Sequence, residues 1–141
     1  MVKVLLVVSD RIEMTLMRYA LENNGCEVEV VTNGFSALKI LDEEMKYDLL
    51  VTSEELPVMK GADLCRAVKK SKAGIKVIGM DIDSESEMPR EAESLPSREA
   101  EYDYFIGGAF KIQKVADALD FVLERSTAPT GIRRDAPNVR G

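Results

Sequence analysis

The chain contains no histidine, and its two cysteines, Cys26 and Cys65, lie far apart. Zinc-type ligand spacing and imidazole acid–base chemistry are therefore excluded, and both cysteines read as small core hydrophobes. Chemistry is left to carboxylates, hydroxyls and lysines. The residues that could carry it cluster at Ser9-Asp10, at Ser53-Glu54-Glu55, at Asp81 and in the acidic stretch 83–103. Carboxylates brought together can hold a divalent cation, whereas a serine needs a neighbouring base before it attacks anything. Asp10 has a competing role: with Glu13 three residues on, it forms the signature of a capped helix start. Alternation along a strand also turns Glu54 away from any crevice into which Ser53 points. No metal site is expected from these four carboxylates. Neither G-x-G-x-x-G nor G-x-x-x-x-G-K-[ST] occurs, so no nucleotide cofactor is expected.

The charge is unevenly placed. Residues 83–103 carry eight acids against two bases, a local charge of -6 that equals the formal charge of all 141 residues. A solvated acidic face is the plain reading, and nucleic acid would be repelled from it. The longest apolar run, Val4 to Val8, is far short of the roughly 20 residues of a membrane span. It is also short of a secretory signal. A cytoplasmic protein without membrane contact is expected.

The elements that must position these residues follow from periodicity. Val2–Val8 is a short, nearly continuous apolar run, as expected of a strand buried on both faces. Glu27–Thr32, Asp48–Thr52, Ile75–Met80 and Tyr102–Ile106 read as four further strands. Between them, helical spacing appears at Ile12, Leu16, Tyr19, Ala20 and Asn23, at Ala37, Leu38, Ile40 and Leu41, and at Leu64, Cys65 and Val68. A last helix is predicted over Lys111–Arg125, with Ile112, Val115, Ala116, Leu119, Val122 and Leu123 inward. Pro89 and Pro96 break the segment that should hold a helix between the fourth and fifth strands, leaving it shortened or disordered. Residues 127–141 read as a tail or linker after a single domain, 1–126. Strands alternating with helices predict an α/β fold: a doubly wound five-stranded parallel sheet, order 2-1-3-4-5. Ligands of such sheets bind beyond the carboxyl ends of the strands, where Val8, Ser9, Ser53, Asp81, Gly107 and Gly108 stand.

KVLLVVSD at the start, the Asn33-Gly34 turn before Ala37-Leu38, YDLLVTSEELPVMKG at Tyr47–Gly61 and YDYFIGGAF at Tyr102–Phe110 together resemble a response-regulator receiver domain over residues 2–126. The resemblance implies a flavodoxin-like topology and a role in two-component signalling. It also implies five functional positions, and this chain departs at each. The acidic pair that binds Mg²⁺ falls on Val8 and Ser9, the phosphate-accepting aspartate on Ser53, the sensing Ser/Thr on Asp81 and the lysine on Gly107. The switch aromatic is kept as Tyr104. Phosphotransfer by the family's mechanism is not expected, and no catalytic residue or cofactor is assigned.

The expected function is thus a phosphorylation-independent receiver-like module that works by protein–protein contact. In the family that contact uses the fourth helix, fifth strand and last helix, here including Glu91, Glu99, Tyr102 and Tyr104. A homodimer through this face is one form it could take. The alternative is a small-ligand sensor that uses the crevice at the strand ends.

Overall fold

The computed structural model describes residues 1–44, 46–71, 74–81 and 102–124. In chain order these form β1 (Lys3–Val7), α1 (Arg11–Asn23), β2 (Glu27–Val31), α2 (Gly34–Glu43), β3 (Leu49–Ser53), α3 (Gly61–Ser71), β4 (Lys76–Asp81), β5 (Tyr104–Gly107) and α4 (Ile112–Val122). The sheet is parallel throughout, with order β2-β1-β3-β4-β5, as the alternation of strands and helices predicts.

Burial on both faces explains the composition of the central strands. Val4, Leu5, Leu6 and Val7 of β1 are fully buried, and so are Leu49, Leu50 and Val51 of β3. Alternation then splits them. Val4, Leu6, Val51 and Met80 pack with Met17, Ala20 and Leu21 of α1 and Val115, Ala118 and Leu119 of α4. Leu5, Val7, Leu50 and Val77 pack with Ala37 and Leu41 of α2 and Leu64, Cys65 and Val68 of α3. Each buried Val or Leu side chain stabilises the fold by about 1.5–3 kcal/mol relative to exposure. Both cysteines are buried, as small core residues should be.

Helix α1 starts as its sequence indicates: Asp10 accepts a hydrogen bond from the Glu13 N–H at 2.8 Å. Its buried face differs from expectation. Met17, Ala20 and Leu21 face the sheet, while Ile12 and Tyr19 are exposed. Apolar residues occupy two faces of this helix, so spacing alone could not choose between them.

Strand β5 begins at Tyr104, two residues later than the apolar pattern suggests. The cause is Asp103, whose Oδ2 accepts the Val77 N–H at 2.7 Å and the Lys69 ammonium at 2.6 Å. A side chain thus takes the ladder position that a strand carbonyl would fill. Helix α4 ends at Val122, and Glu124 takes a left-handed φ of 55°, so the helix stops short of the predicted Arg125. The expected short helix within 83–101 and the tail 127–141 lie outside the described residues.

Candidate functional site

The carboxyl ends of the strands form one edge of the sheet. There Ser53 pairs in register with Met80, and Asp81 with Gly107. The register thus sets three of the positions singled out in the sequence, Ser53, Asp81 and Gly107, along this edge.

Val8 extends β1 by one ladder bond, its N–H donating to the Val31 carbonyl at 3.0 Å. Its side chain is 1% exposed and lies in the cluster shared with α1 and α4. Ser9 is exposed, and Asp10 is the cap of α1. Ser53 is buried, with its hydroxyl donating to the Glu55 carbonyl at 3.3 Å. A hydroxyl engaged with a carbonyl oxygen has no base to activate it there. Glu55 is paired with Lys60 at 2.9 Å. Among the described residues no three metal-ligating side chains converge. A buried valine, an exposed serine and carboxylates turned to a helix end and a lysine do not fit an octahedral oxygen-ligated cation.

The β5 end is built from Gly107 and Gly108, with Gly108 at φ +79°. Proline, locked near φ -65°, cannot adopt that conformation. Lys114, from the first turn of α4, folds back so that its ammonium donates to the Gly107 carbonyl at 2.7 Å and the Ala109 carbonyl at 3.0 Å. A cation therefore does stand at the end of β5, though it is spent on backbone dipoles. The motif reading passed over Lys114 because it lies on the following helix, not on the strand.

Glu54 departs most from its sequence reading. Alternation does carry it to the α2–α3 side, opposite Ser53, but there it is 2% exposed. Its Oε1 accepts a 2.5 Å hydrogen bond from the Tyr102 hydroxyl. Tyr102 is 7% exposed and packs in the α2–α3 cluster, so its place on an interaction surface is corrected: it is an interior residue. Its ring fits over β4 because residue 79 is glycine, where a Cβ would come within 2.5 Å of ring carbons. The available signal for a buried aromatic was a pair of glycines, Gly61 at the end of the strand-three motif and Gly79 within the fourth strand.

Tyr104 lies on the opposite face of β5, half-buried, with its ring 5.3 Å from that of Phe121 on α4. Phe121 is 64% exposed, and Ile112 at the head of α4 is partly exposed. Glu91 and Glu99 lie outside the described residues. Among the described residues, cavities of about 320 and 260 Å³ sit against α2–α3 (Leu38, Asp42, Val68) and along α1 (Met14, Arg18, Tyr19). No helix among the described residues is long and apolar enough to cross a membrane.

A model of the response regulator receiver domain matches residues 4–119. The alkaline phosphatase synthesis transcriptional regulatory protein PhoP of Bacillus subtilis (strain 168) is 34% identical over 70 residues, covering 50% of this chain. The match spans only 29% of that longer relative. Among solved structures, the signal receiver domain of a signal transduction histidine kinase from Syntrophus aciditrophicus is similar at TM-score 0.71 and 26% identity, covering 95% of this chain and 98% of that one. The response regulator protein TrrA from Thermotoga maritima, in complex with Mg(2+)-BeF, is similar at TM-score 0.72 and 21% identity, with 85% and 97% covered. The same receiver in its complex with the histidine kinase ThkA gives TM-score 0.73 and 19% identity, with 87% and 99% covered. With the sheet order and the matched span in agreement, this chain belongs to the response regulator receiver domain family.

Proposed function

We propose that this receiver domain signals without being phosphorylated and acts through contact with a protein partner. The observation that carries the reading is Val8, an apolar side chain buried in the core at a position where the family resemblance calls for a metal-binding acid. Ser53 in place of the acceptor aspartate, and Gly107 in place of the lysine, remove the nucleophile and the charge clamp that phosphoryl transfer needs. Asp81 adds a negative charge at the strand ends that opposes an incoming phosphate.

Incubation with acetyl phosphate and Mg²⁺ should leave the intact mass unchanged. A labile adduct of about 80 Da, one phosphoryl group, on Ser53 or Asp81 would overturn the reading. Ser53→Asp alone should not restore labelling, because Val8 and Gly107 still withhold the metal and the lysine. Millimolar Mg²⁺ should move the melting temperature by less than about a degree, since only a ligand bound to the native state stabilises it.

Protein contact is supported at the β5–α4 edge, where Phe121 is exposed against Tyr104. An exposed aromatic flanked by a half-buried one is the kind of anchor on which binding energy concentrates. TrrA has been solved in complex with a histidine kinase, and a protein partner is the corresponding expectation for this chain. Phe121→Ser should weaken capture of that partner from the native cell at least tenfold, by roughly 1.4 kcal/mol or more. Unchanged capture would remove this edge from the proposal.

A further inference from the structure

Glu54 is where four elements meet. Its N–H donates to the Met80 carbonyl in β4 at 2.7 Å, and its carbonyl accepts the Gly61 N–H at the start of α3 at 3.0 Å. Its side chain reaches Tyr102, two residues before β5. Along the chain it directly follows Ser53, the last residue of β3, and opens the loop to α3.

The Tyr102 side chain occupies a channel made by two residues without side chains. A Cβ on Gly79 would press into the ring, and a Cβ on Gly61 would meet the Ser53 carbonyl and come within 2.8 Å of the Tyr102 hydroxyl. Phe105 stacks on the ring with centroids 5.7 Å apart. Packing does not call for polarity here. Phenylalanine at 102 and an aliphatic residue at 54 would fill the same volume without burying a carboxylate, which is costly unless it is hydrogen-bonded. A directional bond adds something that dispersion does not: it forms or breaks as a unit, and both ends respond together.

We propose that the Tyr102–Glu54 hydrogen bond is a latch that couples the β3–α3 loop, at the mouth of the crevice, to the entry of β5. In the closed state seen here both segments are fixed. When Tyr102 leaves Gly79, the loop loses its tether and the β5 entry loses its anchor, so the two open together. The loop has a reason to move, because it holds Val58 at φ 73°, a conformation that β-branched residues rarely tolerate. The latch gives the crevice a mechanical route to the β5 edge that involves no phosphoryl group, and so goes beyond the reading above.

Amide hydrogen exchange of the isolated chain tests the latch without any partner. Tyr102→Phe keeps the ring and deletes the donor. It should accelerate exchange at Gly61 and at Asp103 by a common factor of about tenfold, while Cys26, at the far side of the sheet, is unchanged. Glu54→Gln keeps an acceptor and should give a smaller but still equal rise at both amides. Should Tyr102→Phe fail to fold, the equal rise in Glu54→Gln decides the matter. A response at only one of the two amides, no response at either, or the same rise at Cys26 would each overturn the proposal, the last by showing a merely global loss of stability. Because neither phosphorylation nor binding is measured, failure here leaves the proposed function standing, and failure of that function leaves the latch standing.

Discussion

At the mouth of the crevice the strands end in Val8, Ser53 and Gly107, while on the α3 side of the same edge a carboxylate and a phenol lie buried against each other. The first region has neutral groups where the receiver resemblance calls for charged ones. The second has a charged-type group where an apolar one would pack. Their difference teaches that burial, and not residue type, says which polar residue holds the structure together. Exposed Asp10 and Glu55 are engaged locally, with a helix end and a neighbouring lysine. Glu54 and Tyr102, both interior, join segments far apart in the chain.

The largest expected effect breaks the first region. Val8→Asp puts a carboxylate into the cluster of Met17, Met80 and Ile106, and should cost about 4 kcal/mol or more in denaturant unfolding. A variant within about 1 kcal/mol of the parent would mean that this strand end is open enough to host an acid.

Next, Gly79→Ala attacks the second region. Its methyl meets the Tyr102 ring and should cost about 1–3 kcal/mol. Most of that cost should vanish when the same change is made beside Tyr102→Ala; full additivity would show that the ring is not what excludes the methyl.

A smaller effect of opposite sign is expected at the loop between the two regions. Val58 is exposed at φ 73°, so Val58→Gly relieves a left-handed strain of about 1–2 kcal/mol at the cost of added chain entropy. A net gain of about 0.5–1 kcal/mol in thermal or denaturant stability is expected, and a loss would show a side-chain role for Val58.

The smallest effect provides a surface reference for the buried pair. Lys3 bonds Glu27 at 2.9 Å and holds the Glu27 carboxyl below its ordinary value, chiefly through that hydrogen bond and then through its charge. A depressed folded pKa contributes stability above the unfolded value, and this is lost as pH falls through the folded one. Titration of the Glu27 side-chain carbon by NMR should therefore move up, toward the ordinary glutamate range, in Lys3→Met. Because the pair is exposed, the acid limb of the stability curve should barely change.

Much of this was legible along the chain. The five strands, their order and the Asp10 cap follow from apolar runs, alternation and turn residues, because those signals are local. The α1 face was not legible, since Ile12 and Tyr19 repeat at helical spacing as well as Met17 and Leu21 do, and only the sheet selects between them. The start of β5 was missed because Asp103 satisfies Val77 through its side chain, a contact between strands.

The sequence by itself determined that Val8, Ser53 and Gly107 would stand at the strand ends, because position after an apolar run fixes where a residue emerges from a parallel sheet. It also placed Glu54 on the face opposite Ser53, because strand alternation has a period of two. Only the tertiary structure decided that Glu54 is interior and not solvated, that Tyr102 runs across Gly79 to reach it, and that Lys114 turns back to the end of β5. Each of these depends on how close one element lies to another, and that distance is set by packing between segments that no local pattern records.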